Sequence, residues 1–178
     1  GVAEPRTGKS MGEHCEMMAR EWKISREDQD KLAWESHQKA AAAYERGFFK
    51  DLVVPFRGLD RDNILRADTT LEKLATLKPA FKKDGTITAA NASSISDGAA
   101  ALLLMRESTA AQRGLKPVAR IVSHAVHAQA PEWFATAPAG AIAKALKKAG
   151  WDAKQVELWE VNEAFAAVTM AAMAEFKL

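Results

Sequence analysis

The first part of the chain carries apolar residues at every third or fourth position, the spacing of one face of an α-helix. Residues 11–22 collect such side chains on one face: Met11, Cys15, Met18, Ala19 and Trp22. A second helix is expected to start after Ser25, because Asp28 three positions later is typical of a capping box. Gly47 is expected to end this helix. The pattern therefore predicts a helical first part.

Beyond this part, short apolar stretches predict β-strands. These stretches are residues 51–56, 100–105, 118–128 and 156–161. The second is continuously apolar, as in a strand covered on both faces, and the third alternates. Helices are predicted at 70–77, 108–114, 139–150 and 162–176, the last with Asn162 as its N-cap. From about residue 95 onward, strands alternate with helices, which predicts a layered α/β fold.

One irregular segment, KKDGTITAANASSISDGAA, is rich in Gly, Ser, Thr and Asn. A connecting segment of this composition within a globular chain often carries binding groups on a rigid scaffold. We therefore expect a functional loop near residues 85–98.

Composition and charge exclude several classes of protein. Hydrophobic residues make up 48% and charged residues 27% of the 178, which is ordinary for a globular protein. The net charge of +2 does not indicate nucleic acid as a partner. Cys15 is the only cysteine, so no intrachain disulfide is possible and a cytoplasmic location is favoured. Neither a signal peptide nor a membrane span is expected.

No single motif identifies a reaction. The chain has no Gly-rich phosphate loop with a lysine, no cysteine pair for zinc and no Gly-x-Ser-x-Gly turn. The four histidines (His14, His37, His124 and His127) have no metal-like spacing, so no metal site is expected. His124 and His127 should point to opposite faces of their strand.

Taken together, however, several segments resemble the thiolase family along the whole chain. They are MGEHCE (11–16), SREDQD (25–30), RADTTLEKLATLKPAF (66–81), GTITAANASSISDGAAALLL (85–104) and LWEVNEAFA (158–166). The resemblance implies an α/β fold with a layered αβαβα architecture, present here in part. Residues 1–94 resemble the CoA-binding loop domain, 95–116 the closing segment of the N-terminal half, and 117–178 the first part of the C-terminal half.

The resemblance also implies roles for particular residues. Asn162 matches the family asparagine that positions a water for the oxyanion hole of the thioester, where negative charge on oxygen must be stabilised. Asn162 would otherwise only cap its helix, and both roles are compatible. The remaining matches concern substrate and CoA binding: Met11, Arg66, Phe81, Ala89, Ser93, Phe134, Ala164 and Phe165.

These binding matches differ in character. Met11 and Ser93 fall where the family touches the pantetheine arm, and Arg66 falls near the phosphate end of CoA, although it could equally be a solvated loop charge. Phe134 matches a position beside the acyl chain. Phe165 also fits as an ordinary core aromatic by its helical period.

The chain departs from the family pattern in ways that bear on catalysis. The family's nucleophilic cysteine precedes the first residue of this chain, and the Gly-His-Pro histidine and the second cysteine follow its last residue. Cys15 is expected to be a small buried apolar residue. Ser10 stands where biosynthetic members often have His. Ala90 replaces a usual Gly and is expected to stiffen or shift the loop.

The resemblance thus implies an internal piece of an acyl-CoA C-acyltransferase that uses CoA as substrate, needs no other cofactor and forms a homodimer or homotetramer. One alternative is a non-catalytic thiolase-like CoA-binding protein. Another is a domain unrelated to CoA, in which the 85–98 loop and the start of the 162–176 helix would lie far apart. The piece alone is expected to be unstable or to aggregate, because the strands at 100–105, 118–128 and 156–161 would lack sheet partners and leave open edges.

Overall fold

The helices carry most of the regular structure in the computed structural model, which describes residues 3–178. They are α1 (Met11–Glu21), α2 (Arg26–Glu45), α3 (Leu71–Ala75), α4 (Glu107–Gln112), α5 (Ala137–Ala149) and α6 (Ala166–Phe176). Short 3₁₀ turns span Pro131–Thr136 and Ala153–Gln155. Each predicted helix is present, although α3, α4 and α6 are shorter than the sequence pattern suggested.

The ends of the helices follow local chemistry. Ser10 and Glu13 form a reciprocal capping box at the start of α1, and Ser25 accepts the backbone N–H of Asp28 at the start of α2. Gly150 ends α5 in the left-handed region with φ = 71°. The predicted cap at Ser25 is thereby confirmed.

The start of α6 differs from the prediction. The helix begins at Ala166, with Phe165 as its N-cap, and Asn162 lies outside it as an exposed residue. A side-chain cap is not needed, because the backbone N–H of Ala166 donates to the carbonyl of Asn91 at 2.9 Å. The prediction that Asn162 caps this helix is therefore wrong.

None of the predicted strands forms a ladder among residues 3–178. Residues 51–52 lie in a turn, and residues 53–55, 100–105, 118–128 and 156–161 lack regular structure. The β-bridges among the described residues are the isolated pairs Phe56–Leu59 and Ala92–Phe165. A strand is stabilised by hydrogen bonds to a neighbouring strand, and the described residues offer none to these segments. Their apolar side chains are left exposed, as at Leu102 (85%) and Leu158 (84%).

One of these segments still keeps the alternation of a strand. Ser123, Ala125 and His127 are half-buried, whereas His124 and Val126 between them are exposed. The segment is held against α5, because Ser123 donates to the carbonyl of Ala145 at 2.8 Å and Lys148 donates to the carbonyl of His124 at 2.9 Å. The sequence pattern therefore predicted the facing of these side chains correctly, although not their pairing.

The core lies where α1, α6 and the Pro131–Thr136 turn meet. Its members are small or apolar side chains: Cys15, Met18, Ala19, Ile87, Ala135, Phe165, Ala167, Val168 and Ala171. The alanines of α6 allow the helices to approach closely, and α2 packs on α6 from another direction. Ile87 brings the irregular loop into this core.

Candidate functional site

The loop predicted to be functional is held to α1 by a buried carboxylate. Glu16, which is almost fully buried, accepts the backbone N–H groups of Thr86 at 2.9 Å and Ile87 at 2.8 Å. Gly85 is needed beside it, because a Cβ at this position would overlap the Glu16 carboxylate. Charge-assisted hydrogen bonds of this kind are the stronger ones in a protein interior. They fix the first turn of the loop.

A second buried contact holds the same loop to α2. The side-chain amide of Asn91 donates to Asp30 Oδ1 at 2.9 Å and accepts the backbone N–H of Thr88 at 2.8 Å. Asp30 in turn accepts from Arg26 Nε at 2.6 Å, in an ion pair with little exposure to solvent. The loop is thus anchored on both α1 and α2 near its turn.

Beyond this anchor the loop runs against the residues that lead into α6. The backbone N–H of Ser93 donates to the carbonyl of Ala164 at 2.9 Å, and Ala92 and Phe165 form a β-bridge. An unrelated domain was expected to keep these two segments far apart. The structure brings them together within this chain, whereas the resemblance to thiolases predicted that they converge once both halves of a thiolase are present.

A cavity of about 550 Å³ opens beside this junction. Its walls come from α2, α3, the loops before and after α3, and the start of α6: Ala33, Ser36, His37, Ile64, Arg66, Thr69, Leu74, Leu77, Ala89, Ala90, Asn91, Ala92, Ser93, Ser94, Glu163 and Ala166. The size is that of typical small-molecule sites. The lining combines apolar side chains with hydroxyl and charged groups, which suits a long ligand with a polar end.

The positive charge in the cavity wall comes from Arg66. Its backbone N–H donates to His37 Nδ1 at 3.3 Å, and its guanidinium donates to the carbonyl of Asn63 at 2.8 Å. No acidic side chain lies within salt-bridge distance of Arg66 in residues 3–178. Its charge is therefore available to an anionic ligand.

The three aromatic residues predicted for binding do not line this cavity, and two of them pack against each other. The rings of Phe81 and Phe165 meet edge to face with their centroids 5.9 Å apart. Phe165 is buried in the core, while Phe134 and Ala164 pack against the edge of the core. The expectation that Phe165 is a core aromatic is confirmed by its burial.

The predicted site residues therefore divide into groups. Arg66, Ala89 and Ser93 line the cavity. Met11, at the start of α1, is 55% exposed and outside the cavity wall. Asn162 is exposed and lies next to Glu163, which does line the cavity. Nothing among residues 3–178 hydrogen-bonds the side chain of Asn162.

Comparison with known proteins identifies the family. The model for the thiolase N-terminal domain matches residues 1–108, and the model for the thiolase C-terminal domain matches residues 115–178. The chain belongs to the thiolase family. It is 47% identical to the acetyl-CoA acetyltransferase of Rhizobium meliloti (strain 1021) over 96% of its own length and 46% of that protein. The chain thus spans about half the length of the curated relatives it matches.

Solved thiolase structures agree with this assignment. The crystal structure of the Bacillus anthracis acetyl-CoA acetyltransferase superposes with a TM-score of 0.91 at 42% identity, covering 99% of this chain and 47% of that one. Human mitochondrial 3-ketoacyl-CoA thiolase, solved in complex with CoA, gives 0.93 at 39% identity, covering 99% and 46%. The predicted α/β thiolase fold is confirmed, although the present chain has no paired strand in its described part.

Cys15 has the environment expected of a structural residue in this thiolase chain. It is fully buried in the core, and burial raises the pKa of its thiol to about 12. A thiol attacks as its thiolate, so Cys15 is unsuited to nucleophilic catalysis at neutral pH.

The backbone at Ala90 does not require the conformational freedom of glycine. Among the described residues, the left-handed non-glycine positions are Lys23, Arg57 and Lys177. Ala90 is thus in a backbone conformation that any residue adopts. The expectation that alanine at this position stiffens or shifts the loop stays a prediction, because the backbone conformation of Ala90 alone does not test it.

Several cavity residues were missed from the sequence, above all Ser36, His37 and Glu163. Ala33, Ser36 and His37 recur at the spacing of one helical face, so the helical period of α2 was the available signal. Glu163 adjoins Asn162 in the recognised motif. Asn91 was read only as part of a motif, and its contacts with α2 required the fold.

Within residues 3–178, no helix is long and apolar enough to cross a bilayer, and no group of three or more His, Cys, Asp or Glu side chains is arranged to hold a metal ion.

Proposed function

We propose that the protein containing this chain is an acyl-CoA C-acyltransferase that passes an acyl group between CoA thioesters through a cysteine acyl-enzyme. The observation that carries the proposal is the junction of the 91–93 loop with residues 164–166 beside one cavity. Relatives bearing the name acetyl-CoA acetyltransferase and a neighbour solved with CoA give the chemistry. CoA is a substrate in this proposal, and no metal or resident cofactor takes part.

In the proposed complex, the cavity holds the CoA moiety. The guanidinium of Arg66, which pairs with no carboxylate in residues 3–178, suits the phosphate end, because arginine binds phosphate through paired N–H donors. Ser93 offers a hydroxyl to a pantetheine amide, and Ala89 covers the methylene groups inside the cavity. The other predicted binding residues do not line the cavity, so in this proposal they contact the ligand only where its acyl end extends beyond the lining: Met11, Phe81, Phe134, Ala164 and Phe165.

Asn162 would serve the reacting thioester. A cysteine thiolate attacks the keto carbon of a 3-ketoacyl-CoA, the carbon–carbon bond breaks, and the electron pair leaves as the enolate of acetyl-CoA. An asparagine amide that holds a water stabilises the negative thioester oxygen of this enolate. The exposed, unbonded side chain of Asn162 beside the cavity is consistent with that role.

The thiolate and the proton-transferring histidine would come from parts of the protein outside these 178 residues. Within the chain, Cys15 is buried and none of the four histidines stands in a Gly-His-Pro motif. The division into a loop domain (1–94), a closing segment (95–116) and the start of the C-terminal half (117–178) remains part of this proposal. The proposal also includes a homo-oligomeric full-length protein, a cytoplasmic location and a place in fatty acid metabolism.

The test is made on the full-length protein. We expect the wild type to cleave acetoacetyl-CoA with CoA, and mass spectrometry to find an acetyl group on a cysteine other than Cys15. We expect Asn162→Ala to lower kcat by about a hundredfold or more, the typical loss for one oxyanion-hole donor, with little change in CoA affinity. Gln112→Ala, an exposed amide at the end of α4, is the control and should retain full activity.

Other results would point elsewhere. A wild type that binds CoA but forms no acyl-enzyme would be the non-catalytic thiolase-like protein. A wild type that binds no CoA would contradict the proposal altogether. Full activity of Asn162→Ala would remove Asn162 from the mechanism while leaving the acyltransferase assignment intact.

A further inference from the structure

We propose that Asp30 is a positioning residue for the CoA site: through Asn91 it sets the distance between the 88–94 loop and the start of α6. The inference rests on the proposed function, because the spacing matters only if a CoA thioester occupies the cavity. Asp30 itself does not line that cavity. Its effect must pass through the residue it holds.

Asn91 is the link, because every polar group that its side chain presents is used. The amide nitrogen donates to Asp30 Oδ1 at 2.9 Å and to the carbonyl of Thr86 at 3.1 Å. The amide oxygen accepts the backbone N–H of Thr88 at 2.8 Å. The backbone carbonyl of Asn91 then accepts the N–H of Ala166, the first residue of α6, at 2.9 Å. One residue therefore joins α2, the loop and α6.

Asp30 determines how this amide is oriented. A carboxylate only accepts hydrogen bonds, so it selects the NH₂ side of Asn91 and leaves the amide oxygen for Thr88. A flipped amide would set oxygen against oxygen at Asp30 and donor against donor at Thr88. Both side chains are only 3% exposed, so water offers them little compensation.

Asp30 is itself held in place from the other side. Arg26 donates through Nε to Asp30 Oδ2 at 2.6 Å and through Nη2 to the carbonyl of Leu74 at 2.7 Å. Leu74 belongs to α3 and lines the same cavity. The chain of contacts thus runs from one cavity wall, through Arg26 and Asp30, to the opposite wall at Asn91 and Ala166.

The decisive variants exchange the partners in the full-length protein. Asn91→Asp places two carboxylates face to face, and we expect the KM for CoA to rise about tenfold, the effect of losing one buried charge-assisted bond. Asp30→Asn together with Asn91→Asp restores a donor opposite an acceptor, so part of the loss should be recovered. Asp30→Asn alone leaves one side-chain oxygen to accept from both Arg26 and Asn91. We therefore expect a KM for CoA between those of the wild type and Asn91→Asp.

The control is Asp28→Asn, which changes an exposed carboxylate on the same helix. Within residues 3–178 this carboxylate hydrogen-bonds to Ser25 and to nothing else, so the KM should be unchanged. A lower unfolding temperature for Asn91→Asp with an unchanged KM would reduce the pair to a structural role and overturn the inference. The inference would also be overturned if Asp30→Asn together with Asn91→Asp had a KM for CoA no lower than that of Asn91→Asp alone. If Asn91→Asp does not fold, the KM of Asp30→Asn decides the question in its place.

The wild type separates the two proposals. Calorimetric titration with CoA is done first, and absence of binding would contradict the proposed function as well as this inference. Binding by the wild type together with an unchanged KM in Asp30→Asn and Asn91→Asp would contradict the positioning role alone.

Discussion

Under the proposed function, the charge of Arg66 is what would attract the phosphate end of CoA. Arg66 lines the cavity, and its guanidinium contacts backbone carbonyls rather than a carboxylate. We expect Arg66→Gln in the full-length protein to raise the KM for CoA about tenfold, since a charge-assisted phosphate contact contributes roughly 1.5–3 kcal/mol. With an acyl-pantetheine substrate, which lacks the nucleotide, the variant should match the wild type.

The control for this prediction is Arg57→Gln. Arg57 lies over the Phe56 ring and away from the cavity, so both substrates should be unaffected. An equal loss with CoA and with the pantetheine substrate would show that Arg66 supports the loop rather than the phosphates.

At the residue scale, the sequence predicted the burial of two core residues but not the long-range contacts. Cys15 and Phe165 were expected in the core and are found there. The partnership of Asp30 with Asn91 joins residues 61 positions apart, so no helical or strand period reveals it. Such a pair follows from the fold, which a single sequence specifies only through its resemblance to a family.

At the scale of elements, the contact between Gly12 of α1 and the ring of Phe81 limits most clearly which side chain fits on the helix. A Cβ on Gly12, in the first turn of α1, would overlap the Phe81 ring. We expect Gly12→Ala to displace that ring from Phe165, to cost about 1–3 kcal/mol of stability as overpacking does, and to raise the KM for CoA. Thermal unfolding and steady-state kinetics of the full-length variant measure both.

A double variant checks the cause. If the clash with Phe81 is responsible, Phe81→Ala should remove most of the additional cost of Gly12→Ala, so that the two changes are not additive. Strict additivity would mean that Gly12 is required for another reason.

At this scale the predicted helices are present in the structure, whereas the predicted strands do not pair among residues 3–178. The capping residues and glycine stops of α1, α2 and α5 act within a few residues, so local sequence is sufficient to place them. A strand needs a partner that is distant in sequence. Residues 118–128 separate the local side-chain pattern from long-range strand pairing. Their side chains alternate between half-buried and exposed as in a strand, but the backbone has no hydrogen-bonded partner strand among the described residues. The start of α6 was misplaced for a related reason: its first N–H is bound by the distant Asn91.

At the scale of the whole molecule, the site is more complete than the sheet. The loop, α2 and α6 already form the cavity through contacts within the chain. The apolar segments that resemble sheet strands instead face outward, with Leu103 at 83% and Val126 at 85% exposure. Half of a thiolase can therefore form a cavity of its own while it leaves exposed the surface that the layered architecture would cover.

This exposed surface leads to a prediction for the 178-residue chain expressed alone. Uncovered apolar strand segments with free backbone donors and acceptors pair readily with other chains, so we expect the isolated chain to self-associate and to bind a hydrophobic dye. Leu103→Lys with Val126→Lys should reduce the association seen by light scattering while leaving the helical circular dichroism unchanged, because neither residue lies in a helix. Ser96→Lys with Lys116→Ser, which leaves the net charge unchanged and the apolar segments intact, should associate like the unmodified chain. A monomeric, dye-free chain would show instead that residues 100–105 and 118–128 are covered in solution, and the half-thiolase would then be a folding unit in its own right.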